Sequence, residues 1–198
     1  MITFFLNHRK VEFSGDDNLT LLNYLREIEG ITSVKDGCSG QAACGACMVE
    51  IDGKARLSCT RKMKSLEGAR VITMEGIPPA IRDVIATAYV EKGAVQCGFC
   101  TPGLIMRTKV LFSENPNPGR EEIKKAISLN LCRCTGYVKI VDAIESALND
   151  LRNGTVTGND HHNTASHAEH TVRNDSAGGV GCNLRADGRP LSGERPCR

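Results

Sequence analysis

Residues 36–59 are DGCSGQAACGACMVEIDGKARLSC, a stretch that joins a cysteine-bearing loop to a predicted β-hairpin. Cys38, Cys44 and Cys47 lie in the loop, and eleven residues separate Cys47 from Cys59. Asp52 and Gly53 stand between two short strand-like runs, which is a strong signal for a tight hairpin turn. The stretch therefore predicts that a hairpin brings a fourth cysteine back to a loop that already holds three.

The loop between these cysteines is built from small residues. Small residues let the backbone wrap closely around a metal centre bound by the cysteines. Several backbone N–H groups can then point at the sulfur atoms, and such hydrogen bonds adjust the reduction potential of the centre. The residues expected to serve this purpose are Gly37, Gly40, Ala42, Ala43, Gly45 and Ala46.

A second set of four cysteines lies in two further motifs, QCGFCTPG at 96–103 and LCRCTGY at 131–137. Four thiolates are what one iron–sulfur cluster requires, so two sets predict two clusters and an electron relay. The first predicted ligand set is Cys38, Cys44, Cys47 and Cys59. The second predicted ligand set is Cys97, Cys100, Cys132 and Cys134.

The second set also admits other chemistry on spacing alone. A structural zinc ion takes the same four thiolates in a tetrahedral site and needs no special loop. Thioredoxin-like chemistry at Cys97 and Cys100 is a further alternative, but it requires a βαβ context and leaves Cys132 and Cys134 unexplained.

Composition limits the classes of function that the chain can serve. Its 198 residues carry 25 basic and 23 acidic side chains, for a formal net charge of +2, so no patch for nucleic acid or an anionic membrane is expected. No run approaches the roughly 20 apolar residues of a membrane span, and the N-terminus does not resemble a secretory signal. We therefore expect a cytoplasmic protein, in which close cysteine pairs are metal ligands rather than disulfides.

Hydrophobic periodicity predicts an α+β fold. In residues 1–76, strands are expected at 2–6, 10–13, 48–51, 54–57 and 70–74, with one helix whose apolar stripe runs from Leu21 to Ile28 and stops at Gly30. A small mixed sheet over one helix is a β-grasp domain. In residues 77–152, four short helices joined by tight loops predict a bundle, with Gly93 ending the first helix and Pro102 opening the second.

Residues 153–198 are polar and glycine-rich, and we expect them to form a linker or an extended tail. The tail holds two groups of residues that resemble metal ligands. These are His161, His162, His167 and His170, and the thiols Cys182 and Cys197. Because no frame is predicted to hold them, solvated side chains are favoured over a specific metal site.

Together, DGCSGQAACGAC with Cys59, QCGFCTPG and LCRCTGY resemble the small iron–sulfur subunit of the xanthine oxidase family of molybdenum hydroxylases. The resemblance covers residues 1 to about 150. It implies a plant-type ferredoxin-like β-grasp domain followed by a four-helix domain, each holding one 2Fe-2S cluster. The segment 179–196, GVGCNLRADGRPLSGERP, faintly resembles the start of the molybdenum-binding subunits, which is compatible with the front of a fused polypeptide or with an arm along the large subunit.

The resemblance also assigns roles within a hetero-oligomeric oxidoreductase. The first cysteine set would hold an outer cluster and the second an inner cluster, with Gln96 and Cys134 close to the molybdopterin of a large partner subunit. The chain, not catalytic alone, would pass electrons one at a time from that molybdenum site to FAD on a medium subunit or to another acceptor. Without the resemblance, Gln96 is an ordinary polar residue at a helix end.

One departure from the family pattern affects the first loop. Five residues separate Cys38 from Cys44, whereas the plant-type spacing has four. We expect Gly40 to accommodate the extra residue through a backbone conformation that other residues avoid, so that the cluster is retained.

Two other classes of function are left open. One is a stand-alone two-cluster carrier, and the other is a zinc-stabilised interaction module. A subunit differs from a free carrier in exposing an apolar surface, which is predicted around Phe99, Pro102, Leu131 and Tyr137.

Overall fold

The computed structural model describes residues 1–154, which belong to one compact unit. The predicted tail lies outside these residues apart from positions 153 and 154, and so do its histidines, Cys182 and Cys197. In the first half, five strands form one mixed sheet in the order β2-β1-β5-β3-β4. The strands are β1 (Ile2–Leu6), β2 (Arg9–Phe13), β3 (Met48–Ile51), β4 (Lys54–Leu57) and β5 (Arg70–Ile72).

The β3–β4 hairpin has the bounds that the sequence predicts. Asp52 and Gly53 have φ angles of 50° and 76°, the positive values that a tight two-residue hairpin turn requires. The strand β1 pairs with β5 in parallel, and the remaining pairs are antiparallel. The predicted last strand is shorter than expected, because Thr73 turns away to donate its N–H to Asn7 Oδ1 at 2.9 Å.

The predicted first helix is mostly not α-helical. The α-helical part is short and comprises α1 (Leu21–Asn23). Residues Tyr24–Ile28 form a wider π-helical turn, in which Glu29 N–H donates to Tyr24 O at 3.1 Å. The turn keeps Tyr24 buried, with its ring in T-shaped contact with the Phe4 and Phe13 rings. Ile28, expected on the buried stripe, is 57% exposed as a consequence of the changed period.

The second half contains the four predicted helices. They are α2 (Pro79–Glu91), α3 (Thr101–Glu114), α4 (Arg120–Ala126) and α5 (Val138–Asn153). Gly93 adopts a φ of 63° after α2, and Pro102 lies in the first turn of α3. Their buried faces form one core around Tyr89, Leu104 and Ile144. The expectation of an α+β fold, with a ferredoxin-like sheet domain followed by a helical domain, is confirmed.

The helical half packs directly on the sheet and on the cysteine loop. Met48 of β3 contributes to the helical core, and Lys109 of α3 forms an ion pair with the largely buried Glu50 of β3. A Cβ at Gly103, near the start of α3, would lie 2.7 Å from Gly45 O, so this helix approaches the loop at backbone distance. None of the described helices is long and apolar enough to cross a membrane.

Candidate metal centres and their junction

The first cysteine set is assembled from a loop and a hairpin. Cys38, Cys44 and Cys47 lie in the loop before β3, and Cys59 lies in the 3-10 turn Ser58–Thr60 that follows β4. The thiols of Cys38 and Cys44 lie close enough to influence each other's pKa, and the thiol of Cys47 lies close enough to Cys59 to raise its pKa. The structure therefore brings together all four residues that the sequence predicts, as two pairs.

The backbone of the loop makes room for the extra residue between Cys38 and Cys44. Gly40 has a φ of 75°, and nothing lies within 4 Å of the position of a Cβ there, as the sequence prediction requires. Ser39 and Ala42 also have positive φ angles, of 51° and 58°. Sequence reasoning missed these two, because neither residue type signals the left-handed region.

Backbone N–H groups of this loop point at the thiols. The N–H of Ala43 donates to Cys38 and lowers its pKa, since a donor stabilises the thiolate. Burial acts in the opposite direction on Cys59, whose pKa it raises to about 12. A bound metal must displace the proton of such a thiol, so filling this site releases protons.

The second cysteine set lies where three helices begin or end. Cys97 follows α2, Cys100 precedes α3, and Cys132 and Cys134 lie between α4 and α5. The Sγ atoms of Cys97 and Cys134 are 3.5 Å apart, and the thiol of Cys132 lies close enough to Cys100 to raise its pKa. Cys97 and Cys100 connect two helices, so the βαβ context that a thioredoxin-like site needs does not surround them.

The electrostatics of the second set repeat those of the first. The N–H of Phe99 donates to Cys97 and lowers its pKa, while burial raises the pKa of Cys100 to about 12. Each set thus combines a thiol whose pKa is lowered by a backbone donor with a buried thiol whose pKa is raised, and a bound metal ion favours ionisation of both.

The paired thiols fit the donor arrangement of a 2Fe-2S cluster, in which each of two irons takes two cysteines. A structural zinc site instead needs all four sulfurs about 2.3 Å from one ion. Within residues 1–154, no group of three or more His, Cys, Asp or Glu side chains is placed to hold a single metal ion. A hollow of about 800 Å³ lies between the sheet and α3, and none of the cysteines lines it. The volume of this cavity therefore does not indicate where the metal centres are.

The two cysteine sets meet at a junction that the sequence analysis did not predict. Leu131 N–H donates to the carbonyl oxygen of Cys44 at 2.9 Å, and Asn130 Nδ2 donates to that of Gly45 at 3.0 Å. A Cβ at Gly45 would lie 2.3 Å from Leu129 O, so only glycine fits. The signal present in the sequence was Asn130 itself, a polar residue one step before a predicted ligand motif.

Two regions of the chain match known families of cluster-binding domains. Residues 7–90 match a family described as "2Fe-2S iron-sulfur cluster binding domain", and residues 73–145 match one described as "[2Fe-2S] binding domain". The nicotinate dehydrogenase small FeS subunit of Eubacterium barkeri is 42% identical over 149 residues, which are 75% of this chain and 94% of that protein. This chain belongs to the family of small 2Fe-2S subunits of molybdenum hydroxylases.

Other similarities to this family of small subunits have the same extent. The nicotine 6-hydroxylase small subunit of Paenarthrobacter nicotinovorans is 36% identical over 75% of this chain and 89% of its own length. The solved structure of quinoline 2-oxidoreductase from Pseudomonas putida 86 superposes with a TM-score of 0.68 at 36% identity, covering 77% of this chain and 96% of that chain. The expected function is thereby confirmed: the chain is an electron-transfer iron–sulfur subunit of a molybdenum hydroxylase. Both of its halves match 2Fe-2S domains, which favours iron–sulfur over zinc for the second set.

In this small subunit, Gln96 and Cys134 lie together on the surface. Gln96 Nε2 donates to the carbonyl oxygen of Cys134 at 3.1 Å, and both residues are exposed. The structure thus links the two residues that the family resemblance assigns to one place.

Two of the four residues predicted to form an apolar surface of the small subunit are exposed. Phe99 and Leu131 are 45% and 58% exposed, as predicted. Pro102 and Tyr137, also predicted to lie in this surface, are half-buried. For Tyr137 the reason is its hydroxyl, which donates to Asn130 O at 3.0 Å and accepts from Cys132 N–H at 2.8 Å. Leu129 and Val138, which the sequence analysis did not include, are 61% and 64% exposed.

Proposed function

We propose that the two cysteine sets are the ligands of two 2Fe-2S clusters. The outer cluster would be held by Cys38, Cys44, Cys47 and Cys59. The inner cluster would be held by Cys97, Cys100, Cys132 and Cys134. The arrangement in pairs supports this assignment, because each iron of such a cluster takes two thiolates. The proposed domains remain those expected from sequence, 1–76 for the outer cluster and 77–152 for the inner cluster, with 153–198 as linker.

We propose further that this subunit relays electrons, one at a time, between a molybdopterin site on a large partner subunit and an acceptor. Bound 2Fe-2S clusters supply one-electron acceptor and donor chemistry. The exposed position of Cys134 and Gln96 supports placing the molybdopterin beside the inner set. The amide of Gln96 donates through Nε2 and leaves its oxygen available to accept from a pterin edge.

The main support for an electron relay is the junction between the loops of the two cysteine sets. Cys44 and Cys132 belong to different sets, yet a single hydrogen bond from Leu131 N–H to Cys44 O joins Cys44 itself to the residue next to Cys132. That bond connects the two ligand sets without crossing a solvent gap. An independent carrier has no need of such a contact between two surface centres, whereas a wire between a donor and an acceptor does.

The acceptor is proposed to approach the outer cluster from another side of the molecule. A polar hollow of about 440 Å³ borders Cys59 and is lined by Asp36, Ser39, Gly40 and Lys62. FAD on a medium subunit is the acceptor that the family assignment favours, and the hollow gives it access to the buried side of the outer set.

The exposed apolar residues around the inner set are proposed to contact the large subunit. Phe99, Leu129, Leu131 and Val138 are all at least 45% exposed. Apolar side chains gathered on a soluble surface commonly mark protein interfaces. Phe99, Leu131 and Val138 lie within four residues of proposed inner ligands in the sequence, so docking there would shield the proposed inner cluster from water.

Association with the large subunit can be tested with Leu131→Asp in the assembled complex. We expect the charged side chain to prevent copurification of the small and large subunits, because a carboxylate in a desolvated interface has no partner. Ile28→Asp is the matched control, since Ile28 is 57% exposed but lies in the other half of the chain. If Leu131→Asp copurifies as well as the control, the proposed interface is wrong, and a wild-type chain found only as a monomer favours the stand-alone carrier.

A further inference from the structure

Asn130 lies in the loop of the inner cysteine set, but its side chain contacts the loop of the outer set. It is 1% exposed and precedes Leu131 and Cys132 in the segment between α4 and α5. Its Nδ2 donates to Gly45 O at 3.0 Å. Gly45 lies between the proposed outer ligands Cys44 and Cys47, so the amide reaches across the junction into the other centre.

The peptide that Asn130 contacts makes two further hydrogen bonds. Its carbonyl oxygen also accepts from Met48 N–H at 3.2 Å, and its N–H donates on the opposite side. The carbonyl of Gly45 and the N–H of Ala46 belong to one planar peptide unit. The N–H of Ala46 donates to the thiol sulfur of Cys44. A continuous chain therefore runs from Asn130 Nδ2 to Gly45 O, through the peptide, and from Ala46 N–H to Cys44 Sγ.

Hydrogen bonds in such a chain strengthen one another. A donor at the carbonyl oxygen polarises the peptide and makes its N–H a stronger donor, an effect that is larger away from water. N–H donors to cluster sulfurs stabilise the reduced form, which carries one more negative charge, and they raise the reduction potential.

The orientation of the amide is fixed by its partners. The acceptor Gly45 O requires the NH2 group, and within residues 1–154 the buried Oδ1 has no hydrogen-bond partner. A buried polar atom without a partner lowers stability, and an apolar side chain of similar size would avoid that loss. Stability alone therefore does not account for asparagine at this position.

We propose that Asn130 is a positioning residue that raises the reduction potential of the outer cluster through the Gly45–Ala46 peptide. This inference rests on the proposed assignment of Cys44 to the outer cluster. It means that a residue of the helical domain helps to set the potential of the centre in the ferredoxin-like domain. The junction would then affect the electron relay in two ways. It sets the distance between the two clusters, and it helps to set the reduction potential of the outer cluster.

The test is an EPR-monitored redox titration of the assembled complex carrying Asn130→Leu, which keeps the number and branching of the side-chain heavy atoms and removes the donor. We expect the potential of the outer cluster to become more negative while that of the inner cluster is unchanged. Asn130→Ser, whose hydroxyl is too short to reach Gly45 O, is expected to shift the outer potential in the same direction. It serves as the test if the leucine variant does not assemble.

Thr108→Val is the matched control for loss of a buried polar group. Thr108 is fully buried in the helical half, where its hydroxyl donates to Leu104 O at 2.8 Å and lies 3.1 Å from Tyr89 OH. We expect it to lower the melting temperature without moving either potential. The inference is overturned if the Asn130 variants lower only the melting temperature, or if they shift both potentials equally. If the wild-type complex shows no EPR signal from an outer cluster, the assignment of Cys44 to that cluster is wrong instead.

Discussion

Substituting Gly45 by alanine tests whether the two cysteine loops are closely packed against each other at their junction. Gly45 has a φ of 68°, and its added Cβ would lie 2.3 Å from Leu129 O and 2.8 Å from Asn130 Cα. Both contacts are with backbone atoms, which cannot move aside as the end of a flexible side chain can. The change must therefore separate the two loops or strain them.

The expected loss of stability has two parts. An alanine in the left-handed region costs about 1–2 kcal/mol. Forcing a methyl group into a close-packed contact costs about 1–3 kcal/mol more. Gly40→Ala is the matched control, because Gly40 lies in the same loop with a φ of 75° but has nothing within 4 Å of the added carbon. It should show only the first part.

The assay is anaerobic thermal unfolding of the cluster-loaded complex, followed by loss of the visible absorbance of the clusters. The steric part alone predicts that Gly45→Ala melts roughly 2–12 °C below Gly40→Ala, because 1 kcal/mol corresponds to about 2–4 °C in a chain of this size. Equal melting temperatures for the two variants would refute the packed junction.

Three further sets of substitutions test other contacts of the site. Lys109→Met should destabilise the chain by about 3 kcal/mol because it leaves Glu50 largely buried without its partner, and adding Glu50→Gln should recover most of that loss in denaturant unfolding. Tyr137→Phe removes the acceptor of Cys132 N–H and should cost about 1–3 kcal/mol, also measured by unfolding; an unchanged midpoint would show that the hydroxyl is dispensable. Cys59→Ser and Cys134→Ser should each weaken or abolish a different EPR signal, and loss of the same signal in both would contradict two separate ligand sets.

Most of the fold is predictable from the sequence because local signals and packing agree. The bounds of the β3–β4 hairpin follow from Asp52-Gly53, a pair suited to two successive positive φ angles. The four helices follow from apolar periodicity with Gly93 and Pro102 at their ends. The π-helical turn does not follow, since burying Tyr24 against two aromatic rings changes the period locally and turns Ile28 outward.

The ligand sets of the candidate site could be predicted, but the contact between them could not. Cysteine spacing identifies the residues of each set, because one loop or one pair of motifs supplies them. The junction joins Gly45 to Asn130 across 85 positions of sequence. No local pattern encodes such a contact, and the need for glycine at 45 becomes apparent only when the opposing backbone is in place.

The half-buried position of Tyr137 has a similar explanation. Its hydroxyl satisfies backbone groups of Asn130 and Cys132, a role that depends on how the loop closes before α5. From sequence alone, an aromatic residue in a cysteine motif is compatible both with an exposed contact surface and with a half-buried, hydrogen-bonded position. Packing around the loop decides between the two.

The most direct test of the electron relay is low-temperature EPR of the dithionite-reduced complex, combined with iron, sulfide, zinc and molybdenum analysis. We predict about four irons and four sulfides per small subunit, two distinct 2Fe-2S signals, and molybdenum in the copurified large subunit. About two irons with a single signal, or zinc in place of the second pair of irons, would contradict the two-cluster relay.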